Sequence, residues 1–325
     1  MRLNLMRAAV FTAALLCTTG AFAQEAKTLA ISTIVEVPAL LETRDGALEA
    51  LAERGYVVGK NLTVDYQNAN GSMPTQQQIA KKFAGNQVDA IMSITTPTSQ
   101  AIVAATSDIP IVFATVTDPI KAGLIKSFEP SGTNITSVSD EAPLAEQLRF
   151  IQEIIPGIKK MGFIYNPGLD NSLSTLAALK ALATEAGIEI VESPAPTTNE
   201  VIQATAKLVG NVDAIYVPND TTVVAALEAV IKVGQDTDTP IFAGETGAVD
   251  RGAIASVGLD YLQIGHAAGV MLADVFDGKS PGEITPIIAY KSLSAFKVSV
   301  NKAAAAEMGV TLSDAVLARA TKVIE

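Results

Sequence analysis

The chain contains the same order of sequence features twice, and this internal repeat restricts the possible fold more than any other feature. In the first copy, residues 88–91 read Val-Asp-Ala-Ile and lead through a polar turn and an apolar helical run to Ile109-Pro110-Ile111. In the second copy, residues 212–215 read Val-Asp-Ala-Ile again and lead through a similar turn and helix to Thr239-Pro240-Ile241. The matching features lie 124 and 130 residues apart, far more than the period of a solenoid repeat. The chain is therefore predicted to form two similar α/β lobes.

Apolar runs rich in β-forming residues alternate with helical runs through most of the chain. The predicted strands are residues 28–34, 62–66, 90–94, 109–114, 135–139, 161–165, 188–192, 214–217 and 241–243. The predicted helices are residues 40–54, 76–84, 142–155, 174–186, 200–208, 223–233 and 263–276. Regular alternation of strands and helices predicts, in each lobe, a parallel sheet with helices on both faces.

The chain is predicted to pass between the lobes more than once. A turn-rich segment at residues 130–134 precedes the first passage, a second passage lies at residues 255–260, and a third falls within residues 284–300. The N-terminal lobe is accordingly predicted to contain residues 27–137 and about 260–288, and the C-terminal lobe residues 138–259 and about 289–325. Several short crossings of this kind form a hinge rather than a flexible tether.

The first 23 residues are predicted to be a signal peptide that is removed on export. Arg2 and Arg7 form a basic start, residues 8–16 form an apolar stretch, and Ala21-Phe22-Ala23 is a small-residue cleavage site. The apolar stretch is too short to span a bilayer, which argues against the alternative of a membrane anchor. Cys17 raises a second alternative, a lipoprotein, but bulky side chains such as the preceding leucine are unfavourable for lipid attachment.

Export removes the only cysteine and two basic residues, which leaves 302 residues with a net charge of −13. A chain without thiols in an oxidising compartment depends on core burial rather than on disulfides. About 300 residues are enough for two separate cores. The acidic balance argues against nucleic acid and anionic membranes as partners.

Polar side chains follow the predicted strands at their carboxyl ends, the edge at which open parallel sheets bind ligands. The candidate ligand-binding residues are Val35, Glu36, Thr95, Thr96, Thr98, Ser99, Thr117 and Asp118 in the first lobe, and Asn166, Asn219, Asp220 and Glu245 in the second. Hydroxyls and amides at helix starts are also ordinary N-caps, and that role explains part of the set. Acidic groups at three strand ends, beside a cluster of hydroxyls, favour a ligand that carries both a positive and a negative charge.

The two charges of such a zwitterion have separate predicted sites. Pro97 suits the first turn of a helix, so the N–H groups and hydroxyls of Thr98 and Ser99 would bind a carboxylate at that helix start. Asp220 opens the corresponding helix of the second lobe and is predicted to bind the ammonium group, with Glu245 as the alternative.

The chain carries few residues that suit an enzyme. The single histidine, His266, lies within a helical run, and the exported chain has no thiol, which argues against Ser-His-Asp and Cys-His catalysis. The sequence has no Gly-x-Gly-x-x-Gly, no Walker loop, no Gly-x-Ser-x-Gly and no His/Cys metal spacing, so no cofactor and no metal are expected. A glycosidase that uses carboxylates alone remains an alternative, although the chain has no tryptophan to stack on a sugar.

The sequence resembles the substrate-binding proteins of ABC importers, and in particular the family that includes lipoproteins that bind tryptophan and other aromatic amino acids. The resemblance covers essentially all of the exported chain and depends on an ordered series of segments. They are Gly46-Ala47-Leu48-Glu49-Ala50-Leu51 through Gly55-Tyr56 to Gly59-Lys60-Asn61-Leu62, then Ile109-Pro110-Ile111-Val112-Phe113, Thr117-Asp118-Pro119-Ile120 with Gly123-Leu124, Pro130-Ser131-Gly132-Thr133-Asn134-Ile135-Thr136, and Tyr165-Asn166-Pro167.

The resemblance implies a type I periplasmic-binding-protein fold, in which two Rossmann-like lobes with parallel sheets are joined by several hinge crossings and close on a ligand. It implies a monomeric periplasmic receptor that delivers a small zwitterion, expected to be an apolar or aromatic amino acid, to an ABC permease in the inner membrane. By position, it places the candidate residues above in the cleft. Relatives often have histidine where this chain has Val37, which implies a more apolar pocket wall here.

The sequence leaves other functions open. A periplasmic module that reports a ligand to a membrane receptor needs the same closure, as does a binder of another small solute. An exported carboxylate hydrolase is a further alternative.

Overall fold

The computed structural model describes residues 25–293 and 296–325, so the predicted signal peptide and its cysteine lie outside the described residues. The strands are β1 (Lys27–Thr33), β2 (Leu62–Asn68), β3 (Ala90–Ile94), β4 (Ile111–Ala114), β5 (Ile135–Ser139), β6 (Lys160–Tyr165), β7 (Glu189–Pro194), β8 (Ala214–Val217), β9 (Ile241–Ala243), β10 (Ala255–Gly258), β11 (Ile287–Ile288), β12 (Lys297–Asn301) and β13 (Lys322–Ile324). They form two sheets, each in its own lobe.

Helices connect the strands in nearly regular alternation. They are α1 (Pro38–Glu53), α2 (Met73–Gly85), α3 (Thr96–Ala105), α4 (Leu144–Ile154), α5 (Asp170–Glu185), α6 (Thr198–Leu208), α7 (Thr221–Val224), α8 (Leu227–Asp236), α9 (Gly247–Asp250), α10 (Tyr261–Phe276), α11 (Ala289–Ser292), α12 (Lys302–Glu307) and α13 (Asp314–Arg319). The two α/β lobes predicted from the repeat are therefore confirmed.

The first sheet is parallel throughout, with the strand order β11-β5-β4-β3-β1-β2. In its register, Leu29 of β1 lies opposite Val64 of β2 on one side and Ala90 of β3 on the other. Strands with neighbours on both sides and helices on both faces are buried along their length, which explains why every residue of β3 and β4 is buried and why all of them except Ser93 are apolar.

The second sheet has the order β13-β12-β10-β9-β8-β6-β7 and is mixed. Strand β12 runs antiparallel to β10, with Ala255 opposite Val300, whereas the sequence pattern predicted parallel strands only. The difference has a topological cause. The chain enters β12 from β11 and the short helix α11 of the other lobe, rather than through a crossover helix packed on the second sheet, which a parallel neighbour needs. The same pattern missed β13, which pairs with β12 at the sheet edge.

The chain crosses between the lobes three times. The crossings run from β5 to α4 through residues 140–143, from β10 to α10 through residues 259–260, and from α11 to β12. Each sheet is thus built from discontinuous parts of the chain, because β11 joins the first sheet while β12 and β13 join the second. The residue bounds of the lobes given above stay a prediction.

Helices α1 and α10 pack closely on one face of the first sheet, and glycines make this approach possible. A Cβ atom on Gly265 would lie 2.0 Å from the carbonyl oxygen of Thr43, and one on Gly46 would lie 2.1 Å from that of Leu262. Each lobe has its own apolar core, the first including α10 and the second including β12 and residues of α12 and α13.

One helix predicted from apolar spacing is interrupted. Residues 223–233 do not form a single helix, because α7 ends at Val224 and α8 begins at Leu227. Ala225 and Ala226 separate the two, and residues of α7 line the cleft described below. Within the part of the chain that the structure describes, no helix is both long enough and apolar enough to cross a bilayer.

Candidate ligand-binding cleft

A cavity lies between the lobes, at the carboxyl ends of strands from both sheets. The first sheet, its helices and the crossings supply Val35, Val37, Ala39, Leu40, Thr95, Thr96, Thr115, Thr117, Asp140 and Tyr261. The second lobe supplies Asn171, Asn219, Asp220, Thr221, Val224 and Glu245. Of the residues predicted from the sequence, Val35, Thr95, Thr96, Thr117, Asn219, Asp220 and Glu245 line this cavity.

Two threonines at the cavity have strained backbones. Thr95 follows β3 with φ 87° and Thr115 follows β4 with φ 53°. Positive φ is costly for a β-branched residue. The two are linked, because the Thr95 N–H donates to Thr115 Oγ1 at 3.1 Å and the Thr115 hydroxyl donates to the Ala114 carbonyl at 2.7 Å. Strain of this kind is typical of sites whose geometry serves binding rather than stability.

Asp220 is fully buried, and both of its carboxylate oxygens are engaged within the second lobe. Oδ1 accepts from the backbone N–H groups of Thr222 and Val223, at 2.8 and 3.0 Å. Oδ2 accepts from the Asn166 N–H and the Ser172 hydroxyl, both at 2.6 Å. Burial raises the pKa of this carboxyl, and the four hydrogen bonds oppose that shift. The arrangement caps α7 and ties it to the end of β6.

Glu245 differs from Asp220 in its hydrogen bonding. It is only 4 % exposed, yet neither carboxylate oxygen has a hydrogen-bond partner among the described residues. Burial raises the pKa of Glu245 to about 7, with an opposing effect from Arg251 and further increases from Glu42 and Asp250. A buried carboxylate without partners is costly, so this group is suited to a cation that enters the cavity.

A third acidic group, Asp140, connects the two lobes at the first crossing. Its Oδ1 accepts from the Thr117 hydroxyl at 3.1 Å and its Oδ2 from the Tyr261 hydroxyl at 3.3 Å. Asn219 of the second lobe donates from Nδ2 to the Tyr261 oxygen at 2.8 Å and more weakly to Asp140 Oδ2 at 3.5 Å. Burial raises the pKa of Asp140 to about 6 despite these donors.

Several polar atoms in the cavity wall are buried without a hydrogen-bond partner in the described part of the chain. They are Thr96 Oγ1, Asn171 Oδ1, Asn219 Oδ1 and both carboxylate oxygens of Glu245. Buried polar atoms in proteins are nearly always paired. Their concentration around one cavity indicates that a polar ligand completes their hydrogen bonds. The aliphatic side chains of Val35, Val37, Leu40 and Val224 would then contact an apolar part of that ligand.

The predicted carboxylate site at the start of α3 is only partly exposed to the cavity. The Thr98 hydroxyl bonds with Thr95 Oγ1 at 3.1 Å and Gln76 Oε1 at 3.3 Å, and the Ser99 hydroxyl bonds with Ser93 Oγ and the Thr95 carbonyl, both at 2.8 Å. These two side chains lie behind the cavity wall. Thr96, the first residue of the helix, is the one that lines the cavity.

The remaining residues predicted from the sequence lie near the cavity without lining it. Glu36 is exposed. Asn166 donates from its side chain to Thr222 Oγ1 at 2.9 Å and supports α7. Asp118 accepts from the hydroxyl of Ser174, across the gap between the lobes, at 2.6 Å.

Sequence reasoning missed several lining residues. Asp140 follows β5 and therefore obeys the same strand-end rule, but the sequence pattern places its segment at the boundary between the lobes. Tyr261 follows β10, but the sequence pattern predicts the segment before it as the second passage between the lobes rather than as a strand. Asn171 lies inside the first turn of α5, and the sequence carries no signal for it.

No group of His, Cys, Asp and Glu side chains within residues 25–293 and 296–325 is arranged to hold a metal ion. Asp140 and Asp220 instead accept hydrogen bonds from hydroxyl, amide or backbone N–H donors, and Glu245 accepts none from the described residues.

Comparison with known proteins identifies relatives along nearly the whole chain. Residues 28–324 match the family model described as ABC transporter substrate binding protein. A tyrosine-binding protein of Clostridioides difficile (strain R20291) is 41% identical over 258 residues, which are 79% of this chain and 75% of that protein.

Two solved structures are informative about the lobes. An ABC domain from Streptococcus pneumoniae in complex with L-Trp has a TM-score of 0.88 at 32% identity, and the match covers 92% of this chain and 100% of that one. The ligand-free, open structure of a substrate binding protein with adhesive properties from Clostridium difficile has a TM-score of 0.69 at 34% identity, covering 92% of this chain and 99% of its own.

Proposed function

The chain belongs to the family of ABC transporter substrate-binding proteins, and on that premise we propose that it binds an aromatic amino acid between its lobes. The relatives support this ligand class, since one is described as a tyrosine-binding protein and another was solved with L-Trp. The cavity supports it independently, because it combines an acidic group, hydroxyl and amide groups, and an aliphatic wall.

The observation that carries the proposal is the environment of Glu245. Its buried carboxylate lines the cavity, and neither of its oxygens has a partner in the part of the chain that the structure describes. Asp220 and Asp140 already accept hydrogen bonds from the protein. One carboxylate is thus left to bind one ammonium group. A charged hydrogen bond of this kind contributes on the order of 1.5–3 kcal/mol.

The other parts of an amino acid have matching positions in the cavity. Thr96, at the start of α3, offers its hydroxyl and the positive end of the helix to the carboxylate. Val35, Val37, Leu40 and Val224 offer apolar contact for the side chain. No Lys or Arg side chain lines the cavity in the described part of the chain, so the helix start takes the place of a basic side chain.

The arrangement of the lobes supports closure around such a ligand. The structure superposes more closely on the tryptophan-bound neighbour than on the ligand-free, open one, although the two are similar in identity and coverage. We therefore interpret the described arrangement as the closed form. Hinge closure of two lobes around a ligand is a common mode of binding.

We further propose that the protein acts in the periplasm as a monomer, delivers its ligand to an ABC permease and performs no catalysis. The predicted signal peptide supports export, and the family supports a role in transport rather than in catalysis.

Isothermal titration calorimetry of the exported chain tests the ligand class. L-Tryptophan, L-tyrosine and L-phenylalanine are compared with L-alanine, L-glutamate, galactose and a nucleoside. We expect binding of at least one aromatic amino acid and no heat with the sugar or nucleoside. A thermal-shift assay provides a second readout, because a ligand at about one hundred times its Kd adds roughly 2.7 kcal/mol. Binding of the sugar or nucleoside alone would refute the proposal.

A further inference from the structure

Direct hydrogen bonds join the two lobes at a place outside the ligand cavity. The Ser174 hydroxyl, on α5 of the second lobe, donates to Asp118 Oδ2 of the first lobe at 2.6 Å. Lys121 Nζ of the first lobe lies 3.2 Å from the same hydroxyl and 3.4 Å from the same carboxylate oxygen. The three side chains thus form one connected group across the gap.

A second contact lies beside the first. Gln100, on α3, donates from Nε2 to Asp170 Oδ2 at 2.7 Å, and Asp170 is the first residue of α5. The same Nε2 also donates to the Ala122 carbonyl at 3.1 Å. Gln100 is therefore held by the segment that carries Asp118 and Lys121, and both contacts reach the first turns of the same helix.

The contact between Asp118 and Ser174 is largely shielded from solvent. Ser174 is only 8 % exposed, although its hydroxyl faces the other lobe. Burial favours the neutral form of Asp118, but hydrogen bonds from Ser174 and from the backbone of Lys121 lower its pKa below the ordinary value. The Asp118 carboxylate therefore stays ionised at neutral pH and accepts hydrogen bonds from these donors.

None of these five residues lines the ligand cavity. We propose that Asp118, Lys121, Ser174, Gln100 and Asp170 form an inter-lobe latch that determines ligand affinity without contacting the ligand. Opening of the hinge separates α5 from α3 and from residues 118–121, so the latch forms only in the closed state. A contact confined to one of two states shifts the population toward that state, and apparent affinity depends on the competent fraction.

The latch predicts a distinctive pattern of affinities, for which the ligand is taken from the proposed function. Because the latch does not touch the ligand, Ser174→Ala and Gln100→Ala should weaken L-tryptophan and its des-amino analogue, indole-3-propionate, by the same factor. We expect a loss of roughly three- to tenfold in each, the effect of one or two partly exposed hydrogen bonds, expressed as faster dissociation. The variant Glu245→Gln should instead weaken L-tryptophan alone.

A matched control separates the latch from a general loss of stability. Ser193 is also a buried serine, but its hydroxyl donates to the Ala204 carbonyl within the second lobe at 2.8 Å. Ser193→Ala should leave both affinities unchanged. A double-mutant cycle between Asp118→Ala and Ser174→Ala should show coupling in ligand affinity, while Ser174→Ala combined with Ser193→Ala should be additive.

Energy transfer between dyes on the two lobes provides a measurement that needs no ligand assignment. The exported chain lacks cysteine, so Lys60→Cys and Glu185→Cys give one exposed label on each lobe. Latch variants should lower the closed fraction relative to the unsubstituted chain. If the unsubstituted chain binds no amino acid, the proposed function fails while this measurement still tests the latch. Closed fractions and affinities that equal those of the unsubstituted chain would overturn the latch.

Discussion

Asp220 and Glu245 follow adjacent parallel strands of the second sheet and line the same cavity, but Asp220 accepts four hydrogen bonds and Glu245 accepts none from the described residues. The two carboxylates are therefore not equivalent, although the sequence presents them in equivalent positions. Asp220 stabilises the start of α7 and its link to β6, whereas Glu245 remains available to a ligand. The contrast can be tested by neutralising each group in turn.

Replacing Glu245 by Gln should weaken L-tryptophan by roughly ten- to a hundredfold, because a charged hydrogen bond to the ammonium group is lost. Indole-3-propionate, which lacks that group, should bind the variant about as well as the unsubstituted chain. Asp220→Asn serves as the comparison. It should lower the melting temperature of the ligand-free protein, because an amide cannot accept all four donors. If Asp220→Asn instead weakens L-tryptophan selectively at unchanged stability, Asp220 binds the ammonium group.

Ligand affinity should depend on pH near neutrality. Burial raises the pKa of Glu245 to about 7, so this group is largely protonated at pH 6 and cannot pair with an ammonium group. The Kd for L-tryptophan should therefore rise as the pH falls below 7, by up to about tenfold per unit. Calorimetry from pH 8 to pH 5.5 measures this change in Kd. Glu245→Gln should remove most of this dependence and leave a weaker one below pH 6, where Asp140 titrates.

The same raised pKa has the opposite consequence for the ligand-free protein. The folded chain binds the Glu245 proton more tightly than the unfolded chain, in which the pKa of this carboxyl is near 4.5. The contribution of this group to stability is thus greatest below pH 4.5 and is lost as the pH rises through about 7. Glu245→Gln should accordingly raise the free energy of unfolding at pH 8 by roughly 1–3 kcal/mol. Chemical denaturation at pH 8 without ligand measures the free energy of unfolding of both proteins. A variant that is less stable than the unsubstituted chain would contradict the prediction.

Thr96 and Thr98 should respond differently to the loss of their hydroxyl groups. The Thr96 hydroxyl lies in the cavity wall without a partner among the described residues, so Thr96→Val should weaken L-tryptophan by roughly threefold or more and leave stability unchanged. Thr98→Val breaks bonds to Thr95 and Gln76 and should mainly lower the melting temperature. Calorimetry and thermal denaturation of both variants separate the two effects. A larger loss of affinity in Thr98→Val would place the carboxylate site deeper along α3.

Gly265→Ala should destabilise the first lobe by at least about 2 kcal/mol, since the added Cβ would lie 2.0 Å from the Thr43 carbonyl oxygen and must push α10 away from α1. Gly85→Ala is the matched control, because no non-neighbouring atom of the described residues lies within 4 Å of the added Cβ at the end of α2. The control should be neutral or slightly stabilising. Urea denaturation compares the two, and equal midpoints would contradict this account of the helix pair.

The sequence predicts the repeated part of the fold well, because strands such as β3 and β8 are predominantly apolar runs bounded by turns. The parts that it predicts poorly depend on long-range topology. Strand β12 follows a crossing, and its direction is set by the lobe from which the chain arrives. Local periodicity carries no information about that direction.

The sequence also predicts only the part of the candidate site that depends on local position along the strands. The strand-end rule selects Glu245 and Thr96 because parallel strands bring their carboxyl ends to one edge. It does not reveal that Asp220 is saturated by donors from Asn166 and Ser172, since those donors come from a different strand and helix. Asp118 obeys the rule as well, but its partner Ser174 lies on the other lobe, a pairing that appears only in three dimensions.

Helix α10 completes the first core, and β12 and β13 complete the second sheet. During synthesis, a chain that ends before residue 261 therefore lacks an essential part of both lobes. Domains usually fold as units once their residues have emerged, but here neither unit is whole until the last quarter of the chain has been made. The topology should therefore delay stable folding to the end of translation. A chain that is exported as proposed above would then still be unfolded when it is threaded across the membrane.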